Sequence, residues 1–385
     1  MSGEGRTDHA IRTGALALAG LCTLLILATP LADLAAGGEP WHQGDWLIND
    51  AGGTVRRGPF GAALIALADL AGLSPVALTV AVQAALVLVA MAALLDAFAR
   101  ALAQPVWALL LTSPAFFPLF WAARPEAGLR KELLVFAAMA LLLPAAGRDG
   151  RWRRLAPVSA ALFLAACVGH EANVFLLPAY GLLAFVALRP DPRAGAVRVA
   201  ALVVVGGTAA AFLFAWAYRD GGDPAAVCAA LTARGASPRI CIGAIEWLGH
   251  DIAFARDLLG SLLNRRSGAA FLLASALAGL PLIHLVALHD RWRLMLGISL
   301  LLLLPILPLF AVAVDWGRWM ALHVASAGLV LLALRLQGVV RQVRPARPWL
   351  VAAICVANLF WVPDHVIGWV PGGLVAELAA RVRGG

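Results

Sequence analysis

The sequence predicts an all-α fold, a polytopic integral membrane bundle of about eleven transmembrane helices. Three observations predict it. Of the 385 residues, 62% are hydrophobic and only 14% charged, and the mean hydropathy is +0.86. Long apolar runs recur along the whole chain. Runs such as "LMLGISLLLLLPILPLFAVA" are apolar on every side, whereas a helix of a water-soluble domain carries one apolar stripe. Helices must dominate, because backbone groups in lipid need internal partners, and the short alternating segments of a membrane barrel are not evident.

The first run, 14–33, is longer than the apolar core of a signal peptide and has no small-x-small cleavage site, so it reads as a retained helix. It opens onto a first outer loop, 36–75, containing "GDWLINDAGGTVRRGPFG" and then "PFGAALIALADLAGLSP". The apolar core of that second stretch is short and interrupted by Asp69, so 59–74 reads as a surface-lying helix started by Pro59 and ended by "LSP". Further spans are expected at 76–96, 105–122, 132–147, 155–169, 174–188 and 198–217. After a large outer loop, 219–267, come 268–288, 294–313, 321–337 and 348–362. Several are short, so some must tilt or extend into polar flanks. With 59–74 on the surface, the loops "GRDGRWRR", "RPDPRAGAVR", "HDRWR" and "RLQGVVRQVRPAR" share the N-terminal side. Short, arginine-dense loops mark the cytoplasm, which places the N-terminus inside and the C-terminus outside. Residues 1–385 then form a single transmembrane domain.

The net charge of +8 therefore reads as topology, and no nucleic-acid partner is expected. Lys131 is the chain's one lysine. Cys228 and Cys241 lie in the outer loop 219–267, where an oxidising compartment would let them pair; two free thiols are the alternative. Cys22, Cys167 and Cys355 fall inside apolar runs.

This topology gathers the uncommon polar clusters on the outer face. Besides the opening loop they are "RPEAGLRKE" with Arg124, Glu126, Arg130, Lys131 and Glu132; "GHEAN" with His170, Glu171 and Asn173; "GHD"; "NRR" with Arg265 and Arg266; and "DWGRW" with Asp315 and Arg318. Each has a bland reading. Arg56 and Arg57 suit lipid headgroups, Asp315 and Arg318 suit a local i,i+3 salt bridge, and His170 beside Glu171 suits a structural hairpin. Misplaced ionisable groups at membrane helix ends are costly, so five such clusters on one face point to a shared site. His284 and His323, inside spans, read as packed or hydrogen-bonded, and Arg335 as snorkelling.

Both signs of charge together suit a lipid-linked sugar phosphate. Guanidinium forks hold phosphate, and a neighbouring carboxylate serves as a base for a hydroxyl or as a ligand for a divalent cation. The "DAGG" glycines would let backbone approach an anionic headgroup. There is no P-loop, dinucleotide fingerprint, HExxH, paired CxxC or nucleophile elbow.

A first helix, a long outer loop with an acidic residue and a surface helix, then further spans with charged outer loops, resembles the GT-C type of membrane glycosyltransferase. The strings "GDWLINDAGGTVRRGPFG", "RKE", "HE" and "DWGRW" are similar to those of bacterial surface-polysaccharide proteins of the O-antigen or capsule polymerase-like kind. The likeness covers most of the chain. It implies a bacterial inner-membrane enzyme active on its extracytoplasmic face, with a polyprenyl-(di)phosphate sugar donor, a glycan or lipid acceptor and surrounding membrane lipids as partners. It makes Asp45 or Asp50 the first-loop acid that orients or deprotonates the acceptor, with Glu171 as a further catalytic candidate. Arg56, Arg57, Arg130, Lys131, Arg265 and Arg318 are candidates for holding phosphate, and Glu126, Glu132, His170 and Asp315 for orienting the acceptor. "RPEAGLRKE" replaces a paired-aspartate motif, so a requirement for magnesium or manganese stays open. No large soluble C-terminal domain follows, which leaves acceptor recognition to the outer loops. The rival expectation is a transporter or flippase of a lipid-linked glycan or anionic solute.

Overall fold

A computed structural model describes residues 3–147, 150–188 and 194–384. Among them the fold is all-α apart from one antiparallel hairpin, Trp361–Pro363 with Trp369–Pro371, paired Trp361 to Pro371 and Val362 to Val370. Six of the described helices are long and apolar enough to cross a membrane: Gly5–Ala35, Pro75–Ala101, Val199–Ala217, Arg265–Ala287, Trp292–Val312 and Trp316–Leu336. Trp316–Leu336 is the central one, with 83% of its apolar window buried against 22% for Arg265–Ala287. The outward faces of the peripheral helices carry leucines such as Leu272 and Leu300, suited to lipid.

The other five expected spans are not continuous membrane-length helices, so the expected count of eleven is not reproduced. Segment 105–122 is broken into Ala108–Leu111 and Phe117–Ala123. Pro114 and Pro118 explain the break, since neither can donate to a continuing helix. Glu132–Gly147 has 16 residues and Ala156–Gly169 has 14. A 3-10 turn, Glu171–Leu176, precedes Leu177–Ala187, and Pro348–Ala357 runs through another 3-10 turn into the hairpin. Glu132–Gly147 is buried among Pro75–Ala101, Ala156–Gly169 and Trp316–Leu336. Two of the arginine-dense loops, 147–154 and 189–198, lie partly outside the described residues.

Local chemistry fixes the segments that join the helices. Gly58–Ala71 begins with Pro59 in its first turn and ends at Gly72, whose φ of +65° is readily reached without a Cβ. It packs tightly because a Cβ on Gly61 would lie 1.9 Å from the Ile48 carbonyl oxygen. Ser74 caps Pro75–Ala101, and Asn264 with Ser267 forms a capping box at the start of Arg265–Ala287. Cys228 and Cys241 are joined by a disulfide. The same loop bonds to the first one, since the Asp223 N–H donates to the Gly52 carbonyl and Arg234 forks onto Asp69.

Candidate functional site

The floor of the site is the segment 36–75, folded inward. The Glu39 carboxylate accepts the backbone N–H groups of Trp41 and His42 at 2.7 and 2.6 Å. The His42 ring lies 2.8 Å from Asp33 through Nδ1 and 2.9 Å from the Pro125 carbonyl through Nε2. The Gln43 side-chain amide donates a buried hydrogen bond to Gln83 Oε1, and both Gln83 and the Trp46 indole donate to the Leu129 carbonyl. Leu129 holds a φ of +56°, unusual for leucine. These partners clamp the loop 124–131 onto the first loop and aim its charged residues inward.

Arg57 occupies the left-handed region too, with φ +70°, just before Gly58. There its guanidinium forks onto Glu171, Nε to Oε2 at 2.8 Å and Nη2 to Oε1 at 2.6 Å, and lies 3.5 Å from Asp45. Arg56 reaches the same glutamate at 3.6 Å. Lys131 is fully buried; its ammonium donates to the Gly169 carbonyl at 2.8 Å and stands 3.8 Å from Asp45. His170 accepts the Ala172 N–H on Nδ1, which leaves the proton of a neutral ring on Nε2. On the adjoining side Arg318 pairs with Glu132 and, at 3.1 Å, with Asp315. Asp315 and Arg318 thus form the expected local pair, but Arg318 also bridges to a distant loop.

Asp45, Glu132, Glu171 and Asp315 stand against Arg56, Arg57, Arg130, Lys131 and Arg318, four carboxylates against five cations. Burial by itself would raise the Asp45 carboxyl, but Lys131 and Arg57 beside it override that and hold it below the usual range. Burial lowers the Lys131 ammonium to about 8 against the opposing pull of Asp45. Burial, reinforced by Arg57, lowers His170 to about 4, so the ring is neutral near pH 7. Arg130 has no carboxylate within ion-pair distance among the described residues. Its guanidinium lies 4.8 Å over the Trp41 ring, and burial together with Arg318 lowers it to about 10. Asp45 Oδ2, Arg56 Nε and Arg130 Nε are buried with no hydrogen-bond partner.

Two expected residues stand outside this network. Arg265 is exposed at the first turn of its helix, with no ion pair among the described residues. Asp50 begins a half-exposed 3-10 turn capped by Asn49, with Oδ1 against Gly58. Burial raises its carboxyl and no neighbouring cation offsets that, so it ends above its usual range where Asp45 ends below. Glu126 sits at the rim, paired with Arg124 at 2.6 Å. Gly52 is occupied by chain packing, because a Cβ there would meet the Asp223 backbone at 2.4 Å; it is no headgroup cradle. A divalent cation does not suit the donors as arranged. Each carboxylate of the network faces a guanidinium or ammonium, and no three metal-ligating side chains converge among the described residues.

Sequence reasoning missed the C-terminal contribution. Arg124 also binds Asp364 at 2.9 Å and touches His365. The hairpin segment carrying both residues crosses Gly317, whose N–H donates to the Val366 carbonyl. Asp364 and His365 follow the last apolar run, on the side already rich in polar clusters, and that placement was the available signal. His42, Gln83 and Trp41 gave none, because their roles depend on contacts across the fold.

Next to the network, the helices Arg265–Ala287, Trp292–Leu303 and Trp316–Leu336 enclose an apolar cavity of about 560 Å³. Trp316, adjoining Asp315 in sequence, forms part of its wall and is held there by its indole N–H on the Phe310 carbonyl. His323 also lines the cavity, packed there with Nδ1 buried and unpartnered. Family models, curated sequences and solved structures yield no match to this chain.

Proposed function

We propose that this protein is a membrane glycosyltransferase that moves a sugar or glycan from a polyprenyl-phosphate or polyprenyl-diphosphate carrier to an acceptor hydroxyl on the extracytoplasmic face. The observation that supports this reading is the meeting of two environments. A buried network with one cation in excess, and with Asp45 and Arg130 incompletely bonded, adjoins an apolar cavity. In this reading the acceptor hydroxyl hydrogen-bonds to Asp45 Oδ2 and passes its proton there as the hydroxyl oxygen attacks the anomeric carbon. The bond from that carbon to the phosphate oxygen breaks, and its electron pair leaves with the phosphate. Arg130 and Arg56 stabilise the charge that develops on the leaving group, the step at which fixed donors help most. Lys131 and Arg57 keep Asp45 ionised, while Glu171 and Glu132 hold the arginines in position.

The test is extraction of polyprenyl-linked and surface glycans from cells lacking the protein, complemented with wild type, Asp45→Asn, Asp50→Asn or Arg130→Ala. Unextended lipid-linked glycan on the outer leaflet, rescued by wild type and Asp50→Asn but reduced roughly 100-fold or more in rescue rate for Asp45→Asn, is expected for loss of a general base. Accumulation on the inner leaflet would favour a flippase, and an unchanged glycan pool would sink both readings.

A further inference from the structure

The helix Ile252–Leu262 takes no part in the charged network, and none of its residues is buried. Ile252, Ala255, Leu258, Leu259 and Leu262 recur at spacings of three and four and fall on one side, while Asp257, Gly260 and Ser261 fall on the other. In a water-soluble domain such an apolar side turns onto the core, yet here Ile252 is 56% and Leu262 38% exposed. Phe254 fastens the start of the helix, stacked 3.9 Å from the His250 ring and meeting Trp247 edge-on. The helix is thus anchored while much of its apolar side lies open.

Its level relative to the long helices says what covers that side. Two extended residues, Leu263 and Asn264, separate it from the membrane-length helix Arg265–Ala287, and it packs against Leu309–Val312, where the membrane-length segment Trp292–Val312 ends. A helix lodged where one span begins and another ends lies at the depth of the lipid headgroups. The charges suit that depth. Arg256 borders the apolar side, four residues after Ile252 and three before Leu259, and Arg265 and Arg266 follow across the break. All three are exposed, with no ion pair among the described residues. We propose that Ile252–Leu262 lies along the bilayer surface, its apolar side at the acyl boundary and Arg256, Arg265 and Arg266 on phospholipid phosphates. Arg265, expected from the sequence to hold a substrate phosphate, binds the surrounding bilayer instead. This seat depends on the membrane-crossing helices and not on the transferase reading, so either can fail alone.

The experiment places one nitroxide at a time on the purified full-length protein in nanodiscs, with Cys22, Cys167 and Cys355 replaced by alanine and the disulfide kept. The label goes on the apolar side as Ile252→Cys or Leu262→Cys and on the polar side as Asp257→Cys or Gly260→Cys, the last at a position where a Cβ meets nothing within 4 Å. Collisions with oxygen, which partitions into lipid, are compared with those of a water-soluble nickel chelate. The oxygen-to-nickel ratio is expected to be several-fold higher on the apolar side. Equal ratios on the two sides would overturn the proposal. So would an apolar side shielded from both reagents, since a second copy or another protein would then cover it. Combining Arg256→Glu, Arg265→Glu and Arg266→Glu should lower the ratio at Leu262 several-fold in nanodiscs rich in phosphatidylglycerol, and less in phosphatidylcholine. A ratio indifferent to that charge reversal in both lipids would overturn the contact of the arginines with phosphate, and the comparison of the two sides decides the seat without that variant.

Discussion

Single side chains decide the character of the charged network. Arg57 accepts an unfavourable backbone conformation, and its planar fork then satisfies both Glu171 oxygens. Lysine cannot reproduce that fork, so Arg57→Lys is expected to leave a buried carboxylate half-paired and cost about 3 kcal/mol, read as a lower thermal midpoint in detergent. His170 supplies a pH dependence of definite sign. Its ring is held to about 4 by burial and then by Arg57, against 6.5 for a free histidine, so between those values the unfolded chain binds a proton that the native chain refuses. Stability from this residue therefore falls as pH drops through 6.5 toward 4, by on the order of 3 kcal/mol once the window is crossed. Thermal midpoints measured from pH 7 to 4 should fall less steeply for His170→Gln than for wild type; parallel curves would refute this. The residue types of the network were legible, since arginine and carboxylate clusters stand out in an apolar chain. The separate fates of Asp45 and Asp50 were not. Five positions apart in a loop, one is buried between two cations and the other rests in a half-exposed turn.

At the scale of elements, tight backbone approaches hold the site together. Gly317 lets the hairpin cross the start of Trp316–Leu336, where a Cβ would lie 1.6 Å from the Asp364 carbonyl oxygen. Gly317→Ala should push the hairpin away, pull Asp364 from Arg124 and cost more than about 2 kcal/mol. Hydrogen exchange of the 361–371 segment would report that release, and unchanged protection would count against it. The disulfide closes a separation of 13 residues in the loop 219–267. Replacing both cysteines by serine is expected to cost about 3 kcal/mol, seen as a drop in thermal midpoint equal to that produced by reductant. Of the helix boundaries, Pro59 and "LSP" marked a start and a stop in the sequence, while the caps at Gly72 and Asn264 emerged only in the structure. The break of 105–122 was also encoded, by Pro114 and Pro118. Apolarity alone concealed it, because a buried broken segment and a lipid-facing helix share a composition.

For the whole molecule, the sidedness that would put the charged face outside rests on arginine-dense loops and remains open to a direct test. A single cysteine introduced as Arg239→Cys, at an exposed position near the disulfide and in a background lacking all five native cysteines, should react with a membrane-impermeant maleimide on intact cells. A cysteine at Thr7→Cys should react only after lysis. The reverse pattern would invert the topology and with it the proposed site. By itself the sequence determined the all-α class, the apolar helices and the residue types of the charged clusters, because each of these depends on composition and spacing within a few turns. Only the tertiary structure decided which charges meet. Arg57 and Glu171 are 114 residues apart, Glu132 and Arg318 are 186, and Arg124 and Asp364 are 240. Such pairings are set by how buried helices pack and by the cost of leaving any buried charge alone, and neither can be read along a one-dimensional chain.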